Sequence, residues 1–338
     1  MLPILLRTFE LNYWECYKAC KYNNDIYVSD YRENNIQKYK NFDDEYEEFH
    51  SSFVATCMLV NKDYLYYVPR GSYSKEINVY DLKNEKHHTV ISIDKSINNI
   101  YCFHDRLYIT LFRGFYIYST TTHEFLIYVE STEHVNHINA DETYIYISTN
   151  GILYIKSAVN PLKIIDKIKI NDGNDDKIQE SLITLDYIYI IKTFGDIIQI
   201  NKHTRKIIKI LKNEKIRPHE SKRVSIFYAC IYNNNLICLV YDDYELRYYD
   251  QHLNCVYKTT EPIFNGVEDL NIFDEQIYIF NDRGKVFVYG NYYPHHYKSL
   301  PQSQLDKIIN WRQANQTIQN PIQKDLKYLF EKELLQFY

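Results

Sequence analysis

Four carboxylates stand near the predicted starts of β-strands and could bring acid–base chemistry to this chain. They are Glu15, Glu180, Glu268 and Asp269. If these strand starts converge in the fold, two acids held close together can act as general acid and general base. That interpretation makes the chain a hydrolase or a lyase. The alternative is that the four are ordinary polar residues lining a wet interior.

Cysteine and histidine do not form a recognisable metal site. The seven cysteines are scattered, and four fall in comparable strands of the repeat, as is typical of small buried thiols. These four are Cys20, Cys57, Cys102 and Cys230. His134 and His137 are three residues apart, which places them on opposite faces of a strand. We therefore predict no metal and no cofactor, and the unpatterned cysteines favour a reducing, cytoplasm-like compartment.

The composition favours β-structure and limits the classes of partner. The 338 residues include 36 Tyr but only 8 Gly and 8 Pro, and Tyr favours strands. The net charge of −5 argues against a general electrostatic nucleic-acid binder. No stretch approaches the ~18 apolar residues of a membrane span, so no membrane partner is predicted. Abundant Asn, Ile, Lys and Tyr also match AT-rich codons, which suggests an AT-rich protist or a large DNA virus as the source.

The elements that must position these side chains recur seven times. A short apolar strand, here called the anchor strand, repeats with its third residue 38 to 48 positions after the previous one. The seven anchor strands are 25–28, 64–67, 106–109, 144–147, 187–190, 235–238 and 276–279. Each anchor strand follows a polar turn that contains Asn or Asp, and these residues tolerate the left-handed backbone of tight turns.

A second turn follows each anchor strand, and four of the eight glycines fall in it. They are Gly114, Gly151, Gly195 and Gly284. Four antiparallel strands in about forty residues make one blade of a β-propeller. A β-sandwich is the alternative, but it would not give seven equal units. The sequence therefore predicts an all-β, seven-bladed propeller.

The repeat resembles the broad WD40-like propeller superfamily over about residues 2–291. The resemblance is one of architecture, since no Trp-Asp dipeptide ends a blade and no Gly-His dipeptide opens one. It implies a propeller fold and assigns no functional residue.

The two ends of the chain have different predicted roles. Blade seven shows three strands, so the apolar segment 4–11 is predicted to supply its fourth strand and close the ring. Residues 1–299 then form the propeller. Residues 300–338 show helical periodicity and are predicted to be two amphipathic helices. They either pack on the propeller or mediate oligomerisation or partner docking.

Turns between second and third strands bring arginine and aromatic residues to one face of the predicted ring. The arginines are Arg32, Arg70, Arg113 and Arg283, and the aromatic residues are Tyr31, Tyr73 and Phe112. They belong to blades one, two, three and seven, which are neighbours in a closed ring. Arginine beside aromatic residues suits carboxylate or phosphate recognition. We predict a protein partner with an acidic or phosphorylated segment, with a nucleic-acid backbone second. The alternative is that these arginines are simply solvated.

Two functions therefore remain open from the sequence. The first is a non-catalytic interaction or scaffold propeller. The second is a hydrolase or lyase that uses the four carboxylates at the mouth of the channel.

Overall fold

The computed structural model of the chain describes residues 4–11, 16–31, 33–40, 46–50, 54–71, 74–170, 177–212, 226–240, 245–260, 267–274, 276–281 and 284–290. The chain divides into two units. One is Arg7–Tyr289, and the other joins Met1–Leu6 to Gly290–Tyr338. The predicted helices in 300–338 and the predicted boundary after residue 299 lie outside the described residues.

The described residues form seven four-stranded sheets. Blade one holds β2 (Cys16–Tyr22), β3 (Asp25–Asp30), β4 (Asn35–Tyr39) and β5 (Tyr46–His50). Blade two holds β6 (Ala55–Asn61), β7 (Tyr64–Pro69), β8 (Glu76–Asp81) and β9 (Lys86–Ser92). Blade three holds β10 (Ile97–Phe103), β11 (Arg106–Leu111), β12 (Gly114–Ser119) and β13 (Glu124–Glu130). Blade four holds β14 (His137–Ala140), β15 (Tyr144–Ser148), β16 (Ile152–Ser157) and β17 (Ile164–Lys169).

Blade five holds β18 (Ile178–Ile183), β19 (Tyr187–Lys192), β20 (Ile197–Asn201) and β21 (Ile207–Leu211). Blade six holds β22 (Ile226–Tyr232), β23 (Asn235–Val240), β24 (Glu245–Tyr249) and β25 (Cys255–Thr260). Blade seven holds β26 (Val267–Phe273), β27 (Gln276–Asn281), β28 (Lys285–Gly290) and β1 (Ile4–Glu10). The predicted all-β, seven-bladed propeller is confirmed, and every predicted anchor strand is the second strand of its blade.

Tyrosine at the third anchor position builds the core between blades. Six blades carry Tyr there and blade six carries Ile237, and all seven side chains are at most 2% exposed. The tyrosines are Tyr27, Tyr66, Tyr108, Tyr146, Tyr189 and Tyr278. Both faces of each anchor strand are covered by neighbouring blades, so large apolar surfaces stabilise every position. This repeated burial explains much of the high tyrosine content.

The N-terminal strand closes the ring, as the sequence predicts. Strand β1 is the outermost strand of blade seven, beside β28. Leu11 is buried with Val286 and Val288, and Phe9 packs against the same cluster. The Leu11 N–H donates to the Gly284 carbonyl at 2.7 Å. Closure removes the exposed sheet edge that blade seven would otherwise present.

A bulge near the start of the first strand recurs around the ring. The register shifts by one residue in the first strands of blades one, two, three, five, six and seven. In blade four the strand starts at the equivalent point, with the Asn136 N–H donating to the Ser148 carbonyl at 2.9 Å. A bulge re-aims the side chain that follows it. One residue in each blade is therefore set at the same level of the channel.

Candidate functional site

Seven residues, one from each blade, form a ring in the channel that we call the channel ring. They are Lys18, Cys57, Asn99, His137, Glu180, Tyr228 and Asp269. Six follow the bulge directly, and His137 pairs at the first register position of its strand. Each lies on the first strand of its blade, and neighbouring first strands contact one another. Most of these side chains are polar or titratable, which makes the channel ring a candidate functional site.

A buried ion pair joins blades one and seven across the channel ring. Lys18 Nζ lies 2.9 Å from Asp269 Oδ1, and the Asp269 side chain is 2% exposed. Asp269 Oδ2 accepts hydrogen bonds from the Ala19 N–H at 2.9 Å and from Asn271 Nδ2 at 2.6 Å. Burial lowers the pKa of Lys18, but the charge of Asp269, its hydrogen bond and smaller contributions from Tyr228 and Cys57 together outweigh burial, so the net shift is upward. Lys18 therefore stays charged, and both Asp269 oxygens are occupied.

Glu180 and His137 are neighbours in the channel ring and differ from the first pair because His137 is neutral. His137 Nε2 lies 3.9 Å from Glu180 Oε1, and the other nitrogen of His137, Nδ1, lies 3.2 Å from Ser181 Oγ. Burial lowers the pKa of His137 to about 3. Burial also raises the pKa of Glu180 to about 7, with Lys18 opposing and Asp269 adding to that shift. Glu180 is thus a channel carboxyl that gains and loses its proton near neutrality.

The four predicted carboxylates have different outcomes. Glu180 and Asp269 both belong to the channel ring, and the Asp269 charge helps to raise the pKa of Glu180. Asp269 forms an ion pair with Lys18, so its carboxylate is not available to act as a base. Glu15 lies outside the described residues, and only the backbone of Glu268 is described, at the bulge itself. The acid–base hypothesis therefore finds one available carboxyl in the described part of the chain.

Arginine and aromatic side chains meet on the face that holds the second-to-third-strand turns, which we call the entry face. The Arg70 guanidinium lies 4.0 Å from the centre of the Tyr31 ring, which joins blades one and two. The Arg113 guanidinium lies 5.7 Å from the Phe112 ring. Tyr31 is 36% exposed and Phe112 is 60% exposed. Among the described residues, neither arginine forms an ion pair.

Backbone hydrogen bonds fix these turns to the links that enter each blade. The Arg70 N–H donates to the Val54 carbonyl at 2.6 Å, and the Val135 N–H donates to the Phe112 carbonyl at 3.4 Å. The Phe112 ring also meets His134 edge-on, at 4.9 Å between centroids. The aromatic surface therefore continues from blade three to blade four.

A polar cleft of about 460 Å³ lies on the entry face between these two groups. Gly71 and Ser74 line it from blade two, residues 96–99 from blade three, and residues 134–136 from the link into blade four. Gly71 directly follows Arg70, and His134 contacts Phe112. The cleft also includes Asn99, so it reaches the channel ring.

Three of the predicted partner-binding residues cannot be placed. Arg32, Tyr73 and Arg283 lie outside the described residues, so the extent of the arc over blades one and seven stays a prediction. The described members Tyr31, Arg70, Phe112 and Arg113 lie on the turns where they were predicted.

Buried thiols and separated histidines agree with the sequence interpretation. Cys20, Cys57 and Cys230 are buried in first strands, and burial raises the pKa of each thiol. Cys102 also lies in a first strand but is only half-buried. His134 Nδ1–H donates to Asn136 Oδ1 at 2.5 Å on the entry face, whereas His137 lies inside the channel. Within the described ranges, no three His, Cys, Asp or Glu side chains are grouped closely enough to hold a metal ion. The same ranges contain no helix long and apolar enough to cross a membrane.

The sequence does carry a signal for the channel ring. Every channel ring residue stands nine positions before the third residue of its anchor strand. The spacing is constant because the first strand and its turn have the same combined length in all seven blades. Residue type hides this pattern, since the seven positions hold seven different amino acids.

Comparison with known proteins supports the fold alone. Neither a protein-family profile nor a curated protein sequence matches the chain. The WD40 β-propeller domain of Doa1 superposes with a TM-score of 0.64 at 10% identity, covering 86% of this chain and 97% of that one. BamB from Moraxella catarrhalis gives a TM-score of 0.60 at 11% identity, with coverage of 86% and 98%. The computationally designed protein Ika8 gives 0.60 at 10% identity, with coverage of 82% and 84%.

Proposed function

We propose that this protein is a non-catalytic interaction propeller whose entry face binds an acidic or phosphorylated segment of a protein partner. The observation that carries the proposal is the pair of arginines beside exposed aromatic rings, Arg70 on Tyr31 and Arg113 near Phe112. A guanidinium that rests on an aromatic ring keeps its N–H edge available for a carboxylate or a phosphate. Neither guanidinium is neutralised by an acid in the described chain, so a ligand can supply the missing charge.

The polar cleft gives the segment a place to dock. It lies between Gly71 on one side and His134 on the other, next to the two arginine turns. Backbone hydrogen bonds hold both turns in place, which limits the ordering cost on binding. A protein segment is favoured over nucleic acid because the chain is acidic overall and nucleic-acid affinity rests on many phosphate contacts.

The test is fluorescence polarisation with three labelled peptides of equal length. One is rich in Glu and Asp, one contains phosphoserine, and one is neutral and rich in Gln. We expect the first two to bind and the third not to bind. The double variant Arg70→Glu with Arg113→Glu should weaken binding about a hundredfold, since each lost charge-assisted contact contributes about 1.5 kcal/mol or more. Circular dichroism confirms that the variant is folded.

A matched control reverses two lysines on turns between third and fourth strands, which lie on the opposite face. Lys83→Glu with Lys163→Glu makes the same change in net charge and should leave binding unaltered. Equal losses in both double variants would show that only overall charge matters and would overturn the proposal. Tighter binding of a single-stranded oligonucleotide than of either acidic peptide would overturn the choice of a protein ligand.

A further inference from the structure

The outermost strands of blades three and five carry charges of opposite sign. Strand β13 begins at Glu124 and ends at Glu130, whereas Lys206 and Lys212 flank β21 on either side. All four residues are exposed. None of their side chains takes part in an ion pair or a hydrogen bond within the described part of the chain. Each strand therefore offers two charges that an outside surface can neutralise.

The strand pairing shows that these charges occupy equivalent positions. Ile127 of β13 and Lys209 of β21 both pair with the third-strand residue that faces the third anchor position of their blade. The bulge beside that pair leaves Leu126 in β13 and Ile208 in β21 as the extra residue. In both strands the charges stand three residues before and three residues after the pair. The glutamates and the lysines therefore lie at the same two levels of their blades.

Large apolar side chains are exposed between the charges of both strands. Phe125 and Leu126 are 45% and 50% exposed in β13. Ile207, Ile208 and Ile210 are 40%, 53% and 48% exposed in β21. Phe125 and Ile207 are equivalent by register, as are Leu126 and Ile208. Contiguous exposed apolar residues between polar ones mark an interaction surface, and the free edge of an outer strand favours contact with another strand.

The charges determine which surface can cover these strands. Two copies of β13 would bring glutamate against glutamate, and two copies of β21 would bring lysine against lysine, which disfavours both contacts. Strand β13 of one copy against β21 of another brings opposite charges together. Both are the fourth strands of their blades, so they run in the same direction when two rings lie side by side with the same face up. Glu124 then faces Lys206, and Glu130 faces Lys212.

The outer strands of blades two and four match β13 less well. In β17 of blade four, Lys167 stands at the position of Ile210, and the bulged Ile165 packs into the core between blades four and five. In β9 of blade two, the bulged residue is His88, and Ser92 replaces the second lysine. Among the outer strands of blades two to five, β21 alone combines two flanking lysines with three exposed apolar residues.

We propose that the outer strand of blade three docks on the outer strand of blade five of a second copy of this chain. The apolar side chains pack at the centre of the contact, and the two ion pairs lie at its ends. The two surfaces of the contact are different, so a copy bound through β13 still presents its own β21 and further copies can add. The contact involves none of the entry-face arginines and none of the channel ring residues, so it is independent of the proposed function.

Charge reversal tests the contact by sedimentation velocity on the full chain. The unaltered protein should self-associate as its concentration rises from about 1 to about 100 µM. Glu124→Lys with Glu130→Lys, and separately Lys206→Glu with Lys212→Glu, should each raise the dissociation constant at least about tenfold, because like charges then face one another. An equimolar mixture of the two variants should associate about as tightly as the unaltered protein, because each reversed strand then meets its complement.

Recovery in the mixture also shows that both variants are folded. If either double variant does not fold by circular dichroism, the single variants Glu124→Lys and Lys206→Glu are mixed instead. The control Lys75→Glu with Lys83→Glu changes two exposed lysines of blade two and should self-associate like the unaltered protein. An unaltered protein that stays monomeric at about 100 µM would overturn the proposal. Self-association that survives both reversals, an equal loss in the blade-two control, or a mixture of folded variants that stays monomeric would also overturn it.

Discussion

Two interfaces between neighbouring blades, here called seams, contain the same kind of hydrogen bond from a backbone N–H to a channel ring side chain. The chemical type of the accepting side chain differs between them. Between blades seven and one, the Asp269 carboxylate accepts from the Ala19 N–H at 2.9 Å. Between blades four and five, His137 Nδ1 accepts from the Ser181 N–H at 3.4 Å. In both seams the acceptor is the channel ring residue of one blade, and the donor directly follows the channel ring residue of the next.

An asparagine completes both seams in the same way. Asn271 Nδ2 donates to the Ala19 carbonyl at 3.2 Å, and Asn139 Nδ2 donates to the Ser181 carbonyl at 3.2 Å. Each asparagine stands two residues after the acceptor of its seam. The seams therefore differ mainly in the accepting group. Between blades seven and one it is a carboxylate paired with Lys18, and between blades four and five it is a neutral imidazole. The geometry belongs to the fold, and the charge belongs to the individual blade.

The largest expected effect on this comparison comes from Asp269→Ala, which removes the carboxylate. This change leaves the Lys18 ammonium without its buried partner and the Ala19 N–H without an acceptor. We expect the free energy of unfolding to fall by about 3–5 kcal/mol, measured by urea titration. The exposed acid Glu142, changed to Ala, should have little effect. A loss below about 1 kcal/mol for Asp269→Ala would show that the seam does not depend on the ion pair.

A companion variant separates charge from hydrogen bonding at the same seam. Asp269→Asn combined with Lys18→Met removes both charges and keeps a side-chain acceptor for the Ala19 N–H. It should recover more than half of the stability lost in Asp269→Ala, because no buried charge is left unpaired. Recovery of less than that would assign the loss to packing.

The neutral seam should respond to pH, through two groups that act in opposite directions. The pKa of Glu180 is raised from 4.5 to about 7 in the folded protein. Its stabilising contribution is therefore complete below pH 4.5 and is lost as the pH rises through 7. Glu180→Gln should be more stable than the unaltered protein at pH 8, by about 2–3 kcal/mol, and equal to it at pH 4. Urea titrations at the two pH values measure this difference.

His137 supplies the opposite slope. Its pKa falls from 6.5 to about 3 on folding, so its contribution is complete above pH 6.5 and is lost as the pH falls towards 3. His137→Gln should therefore lose less stability than the unaltered protein between pH 7 and pH 5, by about 2 kcal/mol. Parallel pH profiles for the two variants would contradict the assignment of opposite slopes.

The sequence predicts the fold better than it predicts the seams. The seven blades and the closing strand follow from local patterns, namely apolar anchor strands between turns and an apolar segment at residues 4–11. Turn chemistry also follows locally, since Asn23, Asn233 and Asp274 adopt positive φ at predicted first turns. Gly114 shows the same, because at its φ of 124° a Cβ would lie 2.5 Å from the Val129 carbonyl oxygen.

Partners across the channel could not be predicted because they depend on closure. Glu180 and Asp269 were expected to converge, but their different roles come from Lys18 and His137, which belong to other blades. The bulge that aligns these side chains has no single residue signature: its extra residue is Thr56 in one blade and Gln179 in another. The constant nine-residue interval to the anchor strand becomes meaningful only when the register is known.

The smallest expected effect lies at the exposed end of the charged seam. Lys21 contacts Asp274 between blades one and seven; the Lys21 side chain is 7% exposed and the Asp274 side chain is 73% exposed. An ion pair whose carboxylate is solvated contributes little, so Asp274→Asn should change the free energy of unfolding by at most about 1 kcal/mol. The difference should vanish at about 1 M sodium chloride, where screening is nearly complete at contact distances. A salt-independent loss near that of Asp269→Ala would mean that closure strength is spread along the whole seam. A negligible loss would concentrate it at the channel ring, where the Ala19 N–H and the Lys18 ammonium share one carboxylate.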